Sequence, residues 1–110
     1  MFRINPLPTF QAQVPLSVPG LPEPLCVAIT FRHKNKAALN DWLRTSIGKN
    51  DAAILHELIV GWAGVQDDAG LEVPYSLSAL NDLIGGYWSA RDEITRCYLR
   101  ELKESKTKNS

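Results

Sequence analysis

Two cysteines, two histidines and an acidic turn closed by glycine are the residues with which this chain would do covalent or metal chemistry. His33 and His56 stand far apart, and neither has a second ligand at H-x-x-x-H, C-x-x-C or H-E-x-x-H spacing, so the pattern that marks a zinc site is missing. Cys97 with a distant histidine would supply a nucleophile and a base. It falls on the apolar stripe of a helix, however, where a thiol packs more often than it reacts. His56-Glu57 also lies on a helical pattern and reads as a solvated or partly buried histidine rather than a general base. Asp67-Asp68-Ala69-Gly70 begins like a calcium loop, but the ligand-spaced acids and closing glutamate do not follow, so it reads as a plain turn. Gly85-Gly86 follows a helical stripe and lacks the G-x-x-x-x-G-K pattern of a phosphate loop; it terminates a helix. With two cysteines and no export signal, two buried thiols are expected rather than a disulfide. No catalytic residue, no cofactor and no metal is expected.

Nucleic-acid binding is the remaining chemical class. Arg32-His33-Lys34-Asn35-Lys36 is a basic cluster, and the C-terminal helical stretch carries Arg91, Arg96 and Arg100. Formal net charge is zero, and residues 50–90 hold no Lys or Arg against Asp51, Glu57, Asp67, Asp68, Glu72 and Asp82. Such an acidic middle repels phosphates unless it faces away, so a small DNA-associated or regulatory domain is the alternative function and not the leading one. The basic-acidic-basic order also suits head-to-tail self-association, unless folding mixes the charges on one surface.

Hydrophobic residues make up 45% and charged residues 22% of the 110, an ordinary globular balance for one domain, which at this length buries roughly 65% of its unfolded surface. The longest apolar runs fall well short of the roughly 18 residues of a membrane span. The N-terminus has prolines where a signal peptide has its apolar run, so a cytoplasmic location is expected.

The elements follow from periodicity and breakers. Pro6, Pro8, Pro15, Pro19, Pro22 and Pro24 exclude a helix from residues 1–24, an extended arm that includes the first strand. Phe10 to Val18 alternates apolar and polar side chains as an edge strand does, Pro19-Gly20 turns, and Leu25 to Phe31 is a second strand. A helix follows with Ala38, Leu39, Trp42, Leu43, Ser46 and Ile47 on one stripe and Gly48 at its end. Asn50 or Asp51 caps a second, with Ile54, Leu55, Leu58, Ile59, Trp62 and Ala63 at helical spacing. Ser76 caps a third, with Tyr75 and Leu80 as a hydrophobic staple. The last begins near Ser89 and buries Ile94, Cys97, Tyr98 and Leu102. The fold class expected is α+β: an N-terminal β-hairpin, then about four short packed α-helices, mainly helical, with the helical domain spanning 25–104 and a disordered tail at 105–110.

Val27-Ala28-Ile29-Thr30-Phe31-Arg32-His33-Lys34 leading into Leu39-Asn40-Asp41-Trp42-Leu43 forms one recognisable stretch. Gly61-Trp62-Ala63-Gly64-Val65, followed by Asp67-Asp68-Ala69-Gly70 and Val73-Pro74-Tyr75-Ser76, forms a second. Together they resemble the tail assembly chaperones of long-tailed bacteriophages. The resemblance implies a non-catalytic protein that multimerises on the tape-measure protein, keeps it soluble, helps tail-tube subunits gather and is absent from the finished virion. It also implies that a longer, frameshifted form accompanies a short one. Candidate protein contacts are Phe10, Val14, Leu16 and Val18 on the edge strand, unless they cover the chain's own helices. Arg32, Lys34 and Lys36 are the charged candidates. Tyr87 and Trp88, between Gly86 and Ser89, either seal the core or form a sticky patch. Trp42 and Trp62 are expected in the core.

Overall fold

Side-chain alternation decides the first two elements. In the computed structural model, which describes residues 2–46 and 48–103, β1 (Thr9–Leu16) and β2 (Leu25–Arg32) pair antiparallel, with Thr9 opposite Arg32 and Leu16 opposite Leu25. Paired residues point the same way, so Phe10, Ala12, Val14 and Leu16 share the core face with Val27, Ile29 and Phe31. Pro15 is tolerated because β1 is an edge strand. Gly20, at φ +89°, makes the turn between the strands.

Asn35 starts α1 (Lys36–Thr45) by accepting a hydrogen bond from the Ala38 amide at 2.9 Å. Ser46 is the residue that ends it, and Ile47, expected on the same stripe, lies outside the described residues. Gly48 then takes φ +84°. Trp42 is buried and its Nε1 donates to the Ile54 carbonyl at 3.0 Å, which ties α1 to the next element.

The second helix is shorter than its periodicity predicts. α2 runs over Asp51–His56 only, capped by the Asn50 side chain. Ile59–Ala63, expected as its continuation, is instead a strand, β3, antiparallel to β2 with Ile29 opposite Trp62 and Phe31 opposite Ile59. The N-terminal hairpin is therefore part of a three-stranded sheet in the order β1-β2-β3. Two effects favour the strand. A continued helix would leave the second edge of β2 with unpaired amides and carbonyls. It would also place Gly61 inside a helix, at a cost of about 1 kcal/mol. A bulge between Thr30 and Phe31 absorbs Val60. The Trp62 indole donates to the Val73 carbonyl at 2.8 Å and so fixes the chain beyond the strand.

That chain is the turn expected at Asp67. Its carboxylate accepts from the Ala69 and Leu71 amides at 2.9 and 3.0 Å, and Gly70 takes φ +81°. Ser76 caps α3 (Leu77–Gly86), accepting from the Ala79 amide at 3.0 Å. Tyr75 has its ring against Trp62, with centroids 5.0 Å apart, and against His56 at 5.8 Å. After Gly86 the chain re-enters a helix, α4 (Ala90–Lys103), whose buried residues are Ala90, Ile94, Cys97 and Tyr98. Residue 104 and the tail at 105–110 lie outside the described residues.

α4 lies along β1 and runs the opposite way. Its Glu93 accepts from the Ser17 amide at 2.9 Å and also bonds the Ser17 hydroxyl. Cys97 approaches the Gln13 carbonyl, and the Tyr98 hydroxyl donates to the Arg32 carbonyl at 2.8 Å. Cys97 is buried as expected. Cys26 is not: it shares the outer face of the sheet with Ala28 and Thr30, while the helices pack on the inner face, so its thiol is exposed.

The core centres on three rings. Phe31 sits 5.6 Å from Phe10 and 5.0 Å from Tyr98, centroid to centroid, and Phe10 stacks on Tyr98 at 5.8 Å. Burial pushes the Tyr98 phenol from 10.0 up to about 12. The folded state therefore keeps a proton that the unfolded state loses. Stability from this group is full below pH 10 and falls as pH rises toward 12. Burial also raises Tyr75, opposed by the charge of Arg32. Tyr98→Phe is expected to lose about 1 kcal/mol at neutral pH through the unsatisfied Arg32 carbonyl. It should also flatten the alkaline limb of a stability-pH curve measured by urea denaturation, leaving the part due to Tyr75.

Candidate functional site

Among the described residues, no group of three or more His, Cys, Asp and Glu side chains is placed to hold a metal ion. No helix among them is long and apolar enough to cross a membrane. The two histidine-cysteine candidates are engaged apart from each other. Cys97 meets β1, while His56 Nδ1 is 2.7 Å from the Tyr75 hydroxyl.

The edge-strand candidates face inward. Val14 and Leu16 are buried in the chain's own core, Phe10 is half-buried in the ring cluster, and Val18 is half-buried at the turn. The alternation that suggested a contact surface is the signature of their packing on the helices. Of the basic cluster, Arg32 is tied down, its guanidinium donating to the Ile59 carbonyl at 2.9 Å and the His56 carbonyl at 3.3 Å. It clamps the start of β3 to the end of β2.

Lys34 and Lys36 are placed differently. They border a groove of about 560 Å³ between α1 and the C-terminal end of α4, together with Lys103 and His33. Leu39, Leu43 and Leu102 line it. Leu43 was expected on the buried stripe with Trp42, yet it is 45% exposed where Trp42 is only 5%. The sequence signal for the groove is the four-residue spacing of Leu39 and Leu43. What could not be read was that Leu102 of the last helix would join them. The floor is apolar and the rim cationic, which suits a protein side chain with acidic neighbours better than a ladder of phosphates.

A second surface lies at the opposite end of the sheet. The groove follows the end of β2, whereas Leu16, Leu25 and Gly64 meet at the other end, beside Gln66, Asp67 and Tyr87. Strands of eight residues hold the two ends roughly 26 Å apart. Here Asp67, Asp68 and Asp82 border an open cleft of about 610 Å³ with Val65, Leu83 and Tyr87. Trp88 stands next to Tyr87 at the junction of α3 and α4 and is 100% exposed. Neither seals the core: Trp88 is on the surface, and Tyr87, 38% exposed, lines the aspartate cleft. The basic residue beside Trp88, Arg91, is already paired with Asp51 at 3.1 Å and Asp92 at 3.2 Å. The lysines of the groove and the aspartates of the cleft lie at separate ends, while Lys49–Glu57 and Arg91–Asp51 pair the basic segments with the acidic middle elsewhere.

Neither a curated protein nor a solved structure matches the chain. The sequence does match a family described as phage tail assembly chaperone, over residues 1–109. That match takes in both strands of the hairpin, all four helices and both charged ends. The chain belongs to the phage tail assembly chaperone family.

Proposed function

We propose that this protein binds the tape-measure protein of a phage tail, keeps it soluble in the host cytoplasm and helps gather tail-tube subunits, without catalysis and with several copies collecting on the client. The family match over nearly the whole chain carries this reading. The exposed Trp88 and the leucine-floored groove support it, because both are surfaces for protein rather than for a small substrate. A chaperone for a long apolar client needs exposed apolar side chains on a fold stable without them. Among the exposed apolar side chains are Leu21, Leu71 and Leu77, none of them part of the buried core.

Coexpression with the tape-measure protein, followed by light scattering on a sizing column at low and high salt, tests it. A multi-copy complex that survives high salt and keeps the partner soluble is the expected result, since apolar burial is insensitive to screening. An unbound chain beside an insoluble partner would sink the proposal. It would bring forward DNA binding by Lys34, Lys36 and the C-terminal helix, whose affinity should collapse as salt rises.

A further inference from the structure

The most exposed large hydrophobic side chain among the described residues and the leucine-floored groove sit at the two ends of one helix. Trp88 precedes the first turn of α4, and Leu102 is in its last. Fourteen residues at 1.5 Å each separate them by about 21 Å, too far for Trp88 to reach the groove of its own chain. The surroundings are complementary in charge. Asp51 and Asp92 share the surface of Trp88, and Arg91, paired with both, leaves that patch one net negative charge. Lys34, Lys36 and Lys103 stand around the groove. An indole is far smaller than the 560 Å³ available, and its face also attracts an ammonium group brought within about 6 Å.

We infer that Trp88 of one copy inserts into the Leu39–Leu43–Leu102 groove of a second copy, with the aspartates beside it meeting the lysines of the rim. This rests on the self-association part of the function proposed above and names the surfaces through which copies meet. The knob and the groove are different patches. The contact therefore either closes reciprocally, with two α4 helices antiparallel, or runs on from copy to copy. In both cases Trp88 acts as a central anchor surrounded by polar pairs, the arrangement in which a few residues dominate an interface.

The test uses the purified chain alone, so that failure of self-contact and failure of client binding register in different experiments. Light scattering over a range of concentration at low salt should show association. Trp88→Ala should weaken it by at least about thirtyfold, without loss of folding because the side chain is fully exposed. A groove variant, Lys36→Glu with Leu43→Glu, changes two exposed positions and should weaken it as well. The decisive step is mixing: the Trp88 variant keeps its groove and the groove variant keeps its tryptophan, so the two together should form a one-to-one pair that neither forms alone. Added salt should loosen that pair. Iodide quenching reports Trp88 directly, because Trp42 is buried and Trp62 half-buried, and protection should grow with association. A chain that stays monomeric at every concentration overturns the inference. So does association that leaves Trp88 quenchable, or a mixture of variants that forms no pair. Protection of Trp88 only when the tape-measure protein is present would assign the patch to that client and overturn it too.

Discussion

Trp42→Ala should lower the stability of the chain by about 3–5 kcal/mol, read as a fall in the urea midpoint with the slope unchanged. The indole is almost fully buried, and its Nε1 donates to the Ile54 carbonyl. It is the one buried side chain that α1 contributes, so the packing of that helix on α2 depends on it. For a domain with about 5–15 kcal/mol in total, a loss of this size is a large fraction. Trp42→Phe keeps an aromatic ring in the site but removes the donor and part of the indole volume, and should cost less than Trp42→Ala, about 1–3 kcal/mol. If Trp42→Ala left the midpoint unchanged, α1 would be docked by something other than its tryptophan. Hydrogen exchange over residues 36–45 provides the local check, since an undocked α1 loses protection before the sheet does.

Phe31→Ala is expected to cost a similar amount, about 3–5 kcal/mol, for a different reason. Phe31 is fully buried on the central strand and touches both Phe10 and Tyr98, so its removal opens a cavity where sheet and α4 meet. β1, β2 and α4 all lose contacts together. Phe10→Ala should cost clearly less, because that ring is only half-buried at the margin of the cluster. The double variant should fall short of additivity by about 0.5–1.5 kcal/mol, the range found for coupled aromatic pairs. Strict additivity in urea melts would mean that the two rings merely share a location.

Local features were legible in the sequence because short-range chemistry decides them. Asn50 and Ser76, expected as caps, each bond an amide two or three residues ahead, whatever surrounds them, and Asn35, not expected as one, does the same for α1. Asp67 closes its own turn. The alternation of β1 and the stripe of Ile94, Cys97 and Tyr98 follow from the periods of strand and helix. The resemblance carried by two short stretches likewise reached the family without any knowledge of the packing.

Where identical patterns serve two structures, the tertiary context chose. Ile54, Leu55, Leu58, Ile59, Trp62 and Ala63 fit a helix as well as a strand does from Ile59 onward, and the open edge of β2 settled it by offering hydrogen bonds a helix would have wasted. Leu43 and Trp42 both belong to an apolar stripe, yet α1 sits at the edge of the core, so one is buried and the other borders a groove. Cys26 reads as a small buried hydrophobe until the sheet turns its outer face away from the helices. Val14 and Leu16 became core because α4 lies on β1, and Trp88 became surface because the chain passes from α3 to α4 without folding that residue under either helix. Chain-local forces thus determined caps, turns, the hairpin and most helix faces. Which apolar residues remained available to another protein depended on distant segments competing for the same core, and that competition is resolved only in three dimensions.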